Sequence, residues 1–146
     1  MTLKNSVMDE MKDKNGERIN TPEKAFKLFS ACMEFLDNER EHFLMLSLDT
    51  KNALKAVHII SIGSLNASIV HPREVFYFAI QDRAASILVA HNHPSGDVAP
   101  SQNDINLTKK LYDSGEILGI PVLDHIVFGD VKFTSMKDSK FSAFRD

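Results

Sequence analysis

The sequence of 146 residues contains one cysteine, Cys32, so no disulfide can form within the chain. Cys32 lies in an apolar stretch of helical spacing, where a small buried hydrophobe is favoured over a reactive thiol. Glycine and proline number only 6 and 5, which argues against low complexity and long disordered stretches away from the ends. No apolar run approaches the ~18 residues that a membrane span needs. The N-terminus has no signal-peptide apolar core either, and the chain reads as cytoplasmic. An excess of positive charge is missing too. The formal net charge is −3, and the basic residues are scattered apart from the adjacent pair Lys109-Lys110. Phosphate neutralisation supplies most non-specific affinity for nucleic acid, so direct binding of nucleic acid by this chain alone is disfavoured.

What is present fits a globular protein. The 43% hydrophobic and 25% charged content is ordinary for a soluble domain, and the length suits one sizeable core. Residues 1–20 are polar and read as a loosely held arm or one short helix, leaving 21–146 as a single domain. Thr21-Pro22 opens a helix with a capping hydroxyl and a proline at its first position. Phe26, Phe29, Met33 and Leu36 continue it as one apolar stripe, to a stop near Asp37-Asn38. Phe43–Asp49 and Leu54–Ile62 read as a hairpin about the turn Asp49-Thr50-Lys51-Asn52.

Ser64–Val70 is irregular. His71-Pro72 starts a second helix with Val75, Phe76, Ala79 and Ile80 inward. Ser86–Ala90 is a short apolar strand of the central kind, followed by a turn-rich loop, His91–Pro100. Ser101 opens a long helix to about Glu116, with Ile105, Leu107, Thr108, Leu111 and Tyr112 at its apolar or half-apolar positions. Gly119-Ile120-Pro121 breaks it. Val122–Phe128 and Val131–Ser135 form a last hairpin about Gly129-Asp130, and the tail from Met136 is polar apart from Phe141 and Phe144. This order predicts an α/β (α+β) fold, a mixed β-sheet packed between helices.

The chemistry concentrates where the apolar strand ends. If strand geometry persists to His93, His91 and His93 point to one side. Asp104 follows in the first turn of the next helix. Two imidazoles and a carboxylate match a catalytic zinc, which takes three protein ligands and keeps a fourth position for water. Each piece also has a plainer reading. His-x-His alone is weak evidence, since histidine is a common hydrogen-bonding loop residue. Ser101-x-x-Asp104 is what a capped helix start looks like.

His91-Asn92-His93-Pro94-Ser95-Gly96, then Pro100-Ser101 and Asp104, closely resembles the signature of the RadC-like branch of the JAMM (MPN-plus, JAB) metalloprotease superfamily. Seven residues separate His93 from Ser101, and Asp104 follows at the family's step. His71-Pro72-Arg73-Glu74 and Leu123-Asp124-His125 also look like stretches common in this branch. The likeness runs from about Thr21 to Phe133. It implies a cytidine-deaminase-like JAMM/MPN fold and one Zn2+ per chain held by His91, His93 and Asp104. Ser101 would steady an oxyanion or position the reacting groups. The family's general base is a Glu at the start of an early strand, about fifty residues upstream of the histidines. Glu41 matches that place, while Glu39 lies nearer the helix end and Glu74 falls in the wrong element. Taken without the resemblance, Glu41 is a solvated carboxylate between a helix and a strand. Asp124 and His125 either line the cleft, support a ligand histidine, or form a satisfied structural pair. His42, His58 and His71 read as surface or capping residues.

The activity so implied is zinc-dependent hydrolysis of a peptide or isopeptide-type amide in an unidentified peptide or protein. A nucleic-acid role is the alternative, because the RadC name is attached to DNA repair. Longer members carry an N-terminal helix-hairpin-helix region, for which the polar residues before Thr21 are too few. A metal-dependent nucleic-acid hydrolase would usually gather more carboxylates and a second metal. A zinc-stabilised, non-catalytic interaction module is the third reading.

Overall fold

The computed structural model describes residues 17–63, 70–139 and 144. Among them, three helices and a five-stranded mixed sheet form an α/β fold consistent with the expected JAB/MPN type.

Helix α1 (Pro22–Met33) starts as its sequence dictates, with Pro22 in the first turn and the Thr21 hydroxyl accepting from the Lys24 N–H. It stops at Met33, short of Asp37, and the chain turns through Asp37, whose carboxylate accepts from the Glu39 N–H and from Arg40. Ala25, Leu28, Phe29, Cys32 and Met33 form its buried face. Phe26 is only partly buried because its ring stacks on Phe133 at the rim of the core. Cys32 is buried, as a small hydrophobe.

Strands β1 (His42–Leu48) and β2 (Leu54–Ile62) pair antiparallel. The Asp49 carboxylate accepts from the Lys51 and Ala53 N–H groups, and Asn52 takes the left-handed conformation at φ 62°. Both fit a tight turn, where Asp and Asn are favoured. Of the arm, residues 1–16 lie outside the described ones. Residues 17–20 bond along the start of β2, with Ile19 in the core.

Helix α2 (Pro72–Gln81) buries Val75, Phe76 and Ala79. Ile80 was expected inward and is 56% exposed: it falls off the contact stripe because Ala79 occupies the side facing the sheet. His71 sits at the N-cap position of this helix, half-buried, without a side-chain capping bond. Of the irregular stretch before it, 64–69 lie outside the described residues, and Val70 is buried.

Strand β3 (Ser86–Asn92) is central, flanked by β1 (antiparallel) and by β4 (Val122–Phe128, parallel) in the order β2-β1-β3-β4-β5. Every residue of β1 and β3 is buried. One face, with Leu44, Leu46, Leu88 and Ala90, meets α1; the other, with Phe43, Met45, Ile87 and Val89, meets α2 and α3. Helix α3 (Gln102–Leu118) makes the crossover from β3 to β4, two residues longer than expected. Gly119 closes it at φ 74°, donating to the Gly115 carbonyl, the left-handed stop glycine allows. The last strand, β5, is only Phe133–Ser135, and Val131 stays outside it, 82% exposed. Phe144 packs edge-on against Tyr112, while Phe141 lies outside the described residues.

Two of the histidines read as surface or capping residues are buried. His42 is the first residue of β1, and His58 in β2 stacks on Phe78. The His58 Nε2 meets Asp82 at 2.6 Å, and the same carboxylate oxygen accepts from Ser47. That polar clamp joins the end of α2 to the sheet. No helix among the described residues is long and apolar enough to cross a membrane.

Candidate metal centre

The loop expected to begin at His91 starts two residues later. Strand β3 runs to Asn92, and the His93 N–H still donates to the Phe128 carbonyl at 2.8 Å. Pleating therefore sends His91 and His93 to the α3 face and Asn92 to the α1 face. The loop folds back through a turn in which the Gly96 N–H donates to the His93 carbonyl, with Gly96 at φ 85°. The side chains of Ser95 and Asp97 accept from the Asp97 and Ala99 N–H groups and brace the return to α3.

At the helix start, both readings of Ser101-x-x-Asp104 hold together. The Ser101 hydroxyl accepts from the Asp104 N–H at 3.1 Å, and the Asp104 carboxylate accepts from the Ser101 N–H at 2.7 Å. This capping box turns the same carboxylate toward the histidines. His91 Nε2 lies 2.8 Å from His93 Nε2 and 3.1 Å from Asp104 Oδ1, and His93 Nε2 lies 3.5 Å from Asp104 Oδ2. Donors bonded to a tetrahedral zinc at ~2.0–2.1 Å stand about 3.3 Å apart. The separations, measured to one or the other Asp104 oxygen, run close to that value, and with one donor atom from each residue the three lie within 4.8 Å of one another, two imidazole nitrogens and a carboxylate oxygen of the zinc type. His91, His93 and Asp104 are thus a cluster that can hold a metal ion. The other ring nitrogen of His93 lies 2.6 Å from the Asp97 carbonyl and must donate to it. In neutral His93 that leaves Nε2 as the lone-pair atom.

Electrostatics knit the cluster without an ion. Burial alone would push the Asp104 carboxyl up, but the adjoining His91 and His93 rings and the Ser101 N–H hold it well below the usual carboxylate range. The hydrogen bond to Asp104 raises His93 above the ordinary histidine value against the effect of burial, and the Glu41 charge adds to the rise.

Glu41 and Ser101 line a cavity of about 430 Å3 together with His93 and Asp104. The Ser101 oxygen is occupied as cap acceptor, and its hydrogen is still available to donate into that space. Asn92 holds the segment that carries Glu41. Its Oδ1 accepts from the His42 N–H at 2.7 Å and its Nδ2 donates to the Arg40 carbonyl at 3.0 Å, one bond on each side of Glu41. Sequence reasoning passed over Asn92, although its place between two inward histidines is itself a sign that it faces the opposite layer.

Asp124 and His125 part company. Between the pairs Ile87–Val122 and Val89–His125, β3 advances two residues and β4 three, so β4 carries a bulge. The bulge turns His125 to the α3 face, 2.8 Å from His91 Nδ1, while Asp124 faces the α1 side and accepts from Ser135 and from the His125 and Lys137 N–H groups. Asp124 is a structural anchor for the last hairpin. Burial holds His125 well below the ordinary histidine value, and Phe43 packs against the rings of both His91 and His125.

Comparison with known proteins matches residues 19–141 to the family described as RadC-like JAB domain. A UPF0758 protein of Desulforudis audaxviator is 55% identical over 119 residues, 82% of this chain and 51% of the relative. A UPF0758 protein of Desulforamulus reducens is 61% identical over 101 residues, 69% of this chain and 44% of the relative. One from Bacillus cereus is 52% identical over 124 residues, 85% of this chain and 54% of the relative. The chain spans about half the length of these curated relatives.

Proposed function

The chain belongs to the RadC-like JAB domain family, and from that premise we propose that it is a zinc-dependent hydrolase of peptide or isopeptide-type amides, with His91, His93 and Asp104 as the metal ligands. One observation carries the reading. Three metal-type donors, one each from His91, His93 and Asp104, lie within 4.8 Å of one another, and two of those residues, His93 and Asp104, line a cavity with a carboxylate, Glu41, and a hydroxyl, Ser101.

A bound zinc supplies Lewis acidity there, lowering the pKa of a water from ~15.7 toward ~7. Glu41, held by the Asn92 clamp, would take the proton from an attacking water as its oxygen bonds to the scissile carbonyl carbon. The same proton passes to the amide nitrogen as the C–N bond breaks, giving an acid and an amine. The Ser101 hydroxyl donates to the carbonyl oxygen as charge gathers on it, a contact commonly worth ~10²–10³ in rate. A second cavity of about 550 Å3 opens beside the same His93–Ser95 segment, between α1 and the β4–β5 turn. An extended chain could lie there on one side of the scissile bond.

The test is zinc per chain in protein purified without added metal, for wild type, His91→Ala, Asp104→Ala, Asp104→Asn and Glu41→Gln. Wild type and Glu41→Gln should hold about one zinc, consistent with one three-donor site, and the ligand variants little. Asp104→Asn can still accept from the Ser101 N–H at the start of α3, so it should lose zinc while keeping more helix stability than Asp104→Ala. A folded wild type that takes up no zinc after equilibration would refute the reading.

A further inference from the structure

We infer that Thr108 and His125 are positioning residues which set the tautomer of His91, presenting its Nε2 lone pair to the metal through a hydrogen-bonded ring that closes on Asp104. The inference rests on the proposed His91–His93–Asp104 site and concerns residues outside it.

The main-chain carbonyl of Asp104 can only accept, and Thr108 Oγ1 lies 2.6 Å from it, one helical turn on. A threonine hydroxyl has a single hydrogen. The Met136 sulfur, 3.5 Å from the same oxygen, is a far weaker acceptor, so the hydrogen goes to the carbonyl. Thr108 Oγ1 is then an acceptor toward His125 Nδ1, 2.5 Å away, and that nitrogen must carry a hydrogen. A neutral His125 so protonated has its lone pair on Nε2. The atom facing it at 2.8 Å is His91 Nδ1, which must therefore be the donor. Neutral His91 is left with its lone pair on Nε2, the atom that faces His93 and Asp104.

His91, Thr108 and His125 are each 0% exposed. Bulk solvent does not reach these groups, and each bond constrains the next. Asp104 thus enters the centre twice. Its carboxylate is a ligand, and its carbonyl fixes the proton order that makes His91 a ligand. Because Thr108 and Asp104 share one helix, a shift of α3 would disturb both together. Outer partners of a ligating histidine commonly change metal affinity 10–100-fold.

The experiment uses the full chain as wild type, Thr108→Val and Thr108→Ser, with two readouts. Zinc affinity is measured by competition with a chromogenic chelator. The tautomer of His125 is read from nitrogen-15 two-bond correlation spectra of the zinc-free protein, which does not require that zinc bind. We expect His125 as the Nδ1–H tautomer in wild type. Thr108→Val, of nearly equal shape, should bind zinc about 10–100-fold more weakly, and Thr108→Ser, which restores the hydroxyl, should recover most of that loss. An Nε2–H tautomer for His125 in wild type would overturn the inference, as would wild-type zinc affinity in Thr108→Val. A wild type that binds no zinc would instead refute the proposed function, and the His125 spectrum would still decide the relay.

Discussion

Replacing Asn92 with leucine tests the clamp on the Glu41 segment. Leucine has nearly the same shape but neither donates nor accepts. The Arg40 carbonyl keeps a partner, the His42 ring nitrogen at 3.0 Å, whereas the buried His42 N–H loses its acceptor. One orphaned buried donor costs about 1–3 kcal/mol, here taken as about 2. Unfolding entropy of ~2.1 cal/mol/K per residue gives about 0.3 kcal/mol/K for 146 residues, so Tm should fall by about 6 °C. The assay is thermal unfolding of zinc-free wild type and Asn92→Leu, compared without metal so that ligand linkage adds nothing. Zinc uptake by the same preparations is then measured. It should be retained, because His91 and His93 face the opposite layer from Asn92. An unchanged Tm would refute the clamp. A loss of zinc equal to that of His91→Ala would show that Asn92 acts on the ligands and not on the base-bearing segment.

Gly115→Ala should destabilise the fold, although it places a better helix former in α3. A Cβ there would stand 2.5 Å from the Ile120 carbonyl oxygen and 3.3 Å from the Phe76 and Val122 side chains. That oxygen belongs to backbone tied down by the Ile120 N–H to Gly115 carbonyl bond. Overpacking of about 1–3 kcal/mol should exceed the ≲1 kcal/mol of helix propensity gained, and a higher denaturation midpoint would refute the packing. Stability of the zinc-free chain should also fall as pH drops below 6.5. Burial depresses His42, with the hydrogen bond to the Arg40 carbonyl opposing it, and burial depresses His125 more strongly. The unfolded chain, with histidines near 6.5, then binds more protons than the folded one, so the contribution is full above 6.5 and lost below it. His93 is shifted the other way, so its contribution is full below 6.5 and lost only above. Urea unfolding at about pH 5 and pH 6.5 checks the sign, and equal or greater stability at the lower pH would contradict it.

Much of this protein follows from short-range chemistry. Thr21-Pro22, the Asp49–Asn52 turn, Ser101 with Asp104, and Gly119 each act within about four residues, through caps and allowed dihedrals. They mark where elements begin and end whatever the rest of the chain does. The strand pleat likewise set His91 and His93 on one side, and the family signature named the three donors. Contacts across tens of residues were decided by packing and register. Alternation counted from Val122 would aim Asp124 at the centre; the bulge in β4, visible only when the strand is paired with β3, aims His125 there instead. Thr108 looks like a half-apolar stripe residue until the fold brings His125 over it. Asn92 gains its role only when β1 lies beside β3 and offers the Arg40 carbonyl and His42 N–H. The burial of His42 and His58 and the exposure of Ile80 are of the same kind. A polar side chain's partner is chosen by whichever distant backbone the sheet register delivers, and no local periodicity encodes that choice.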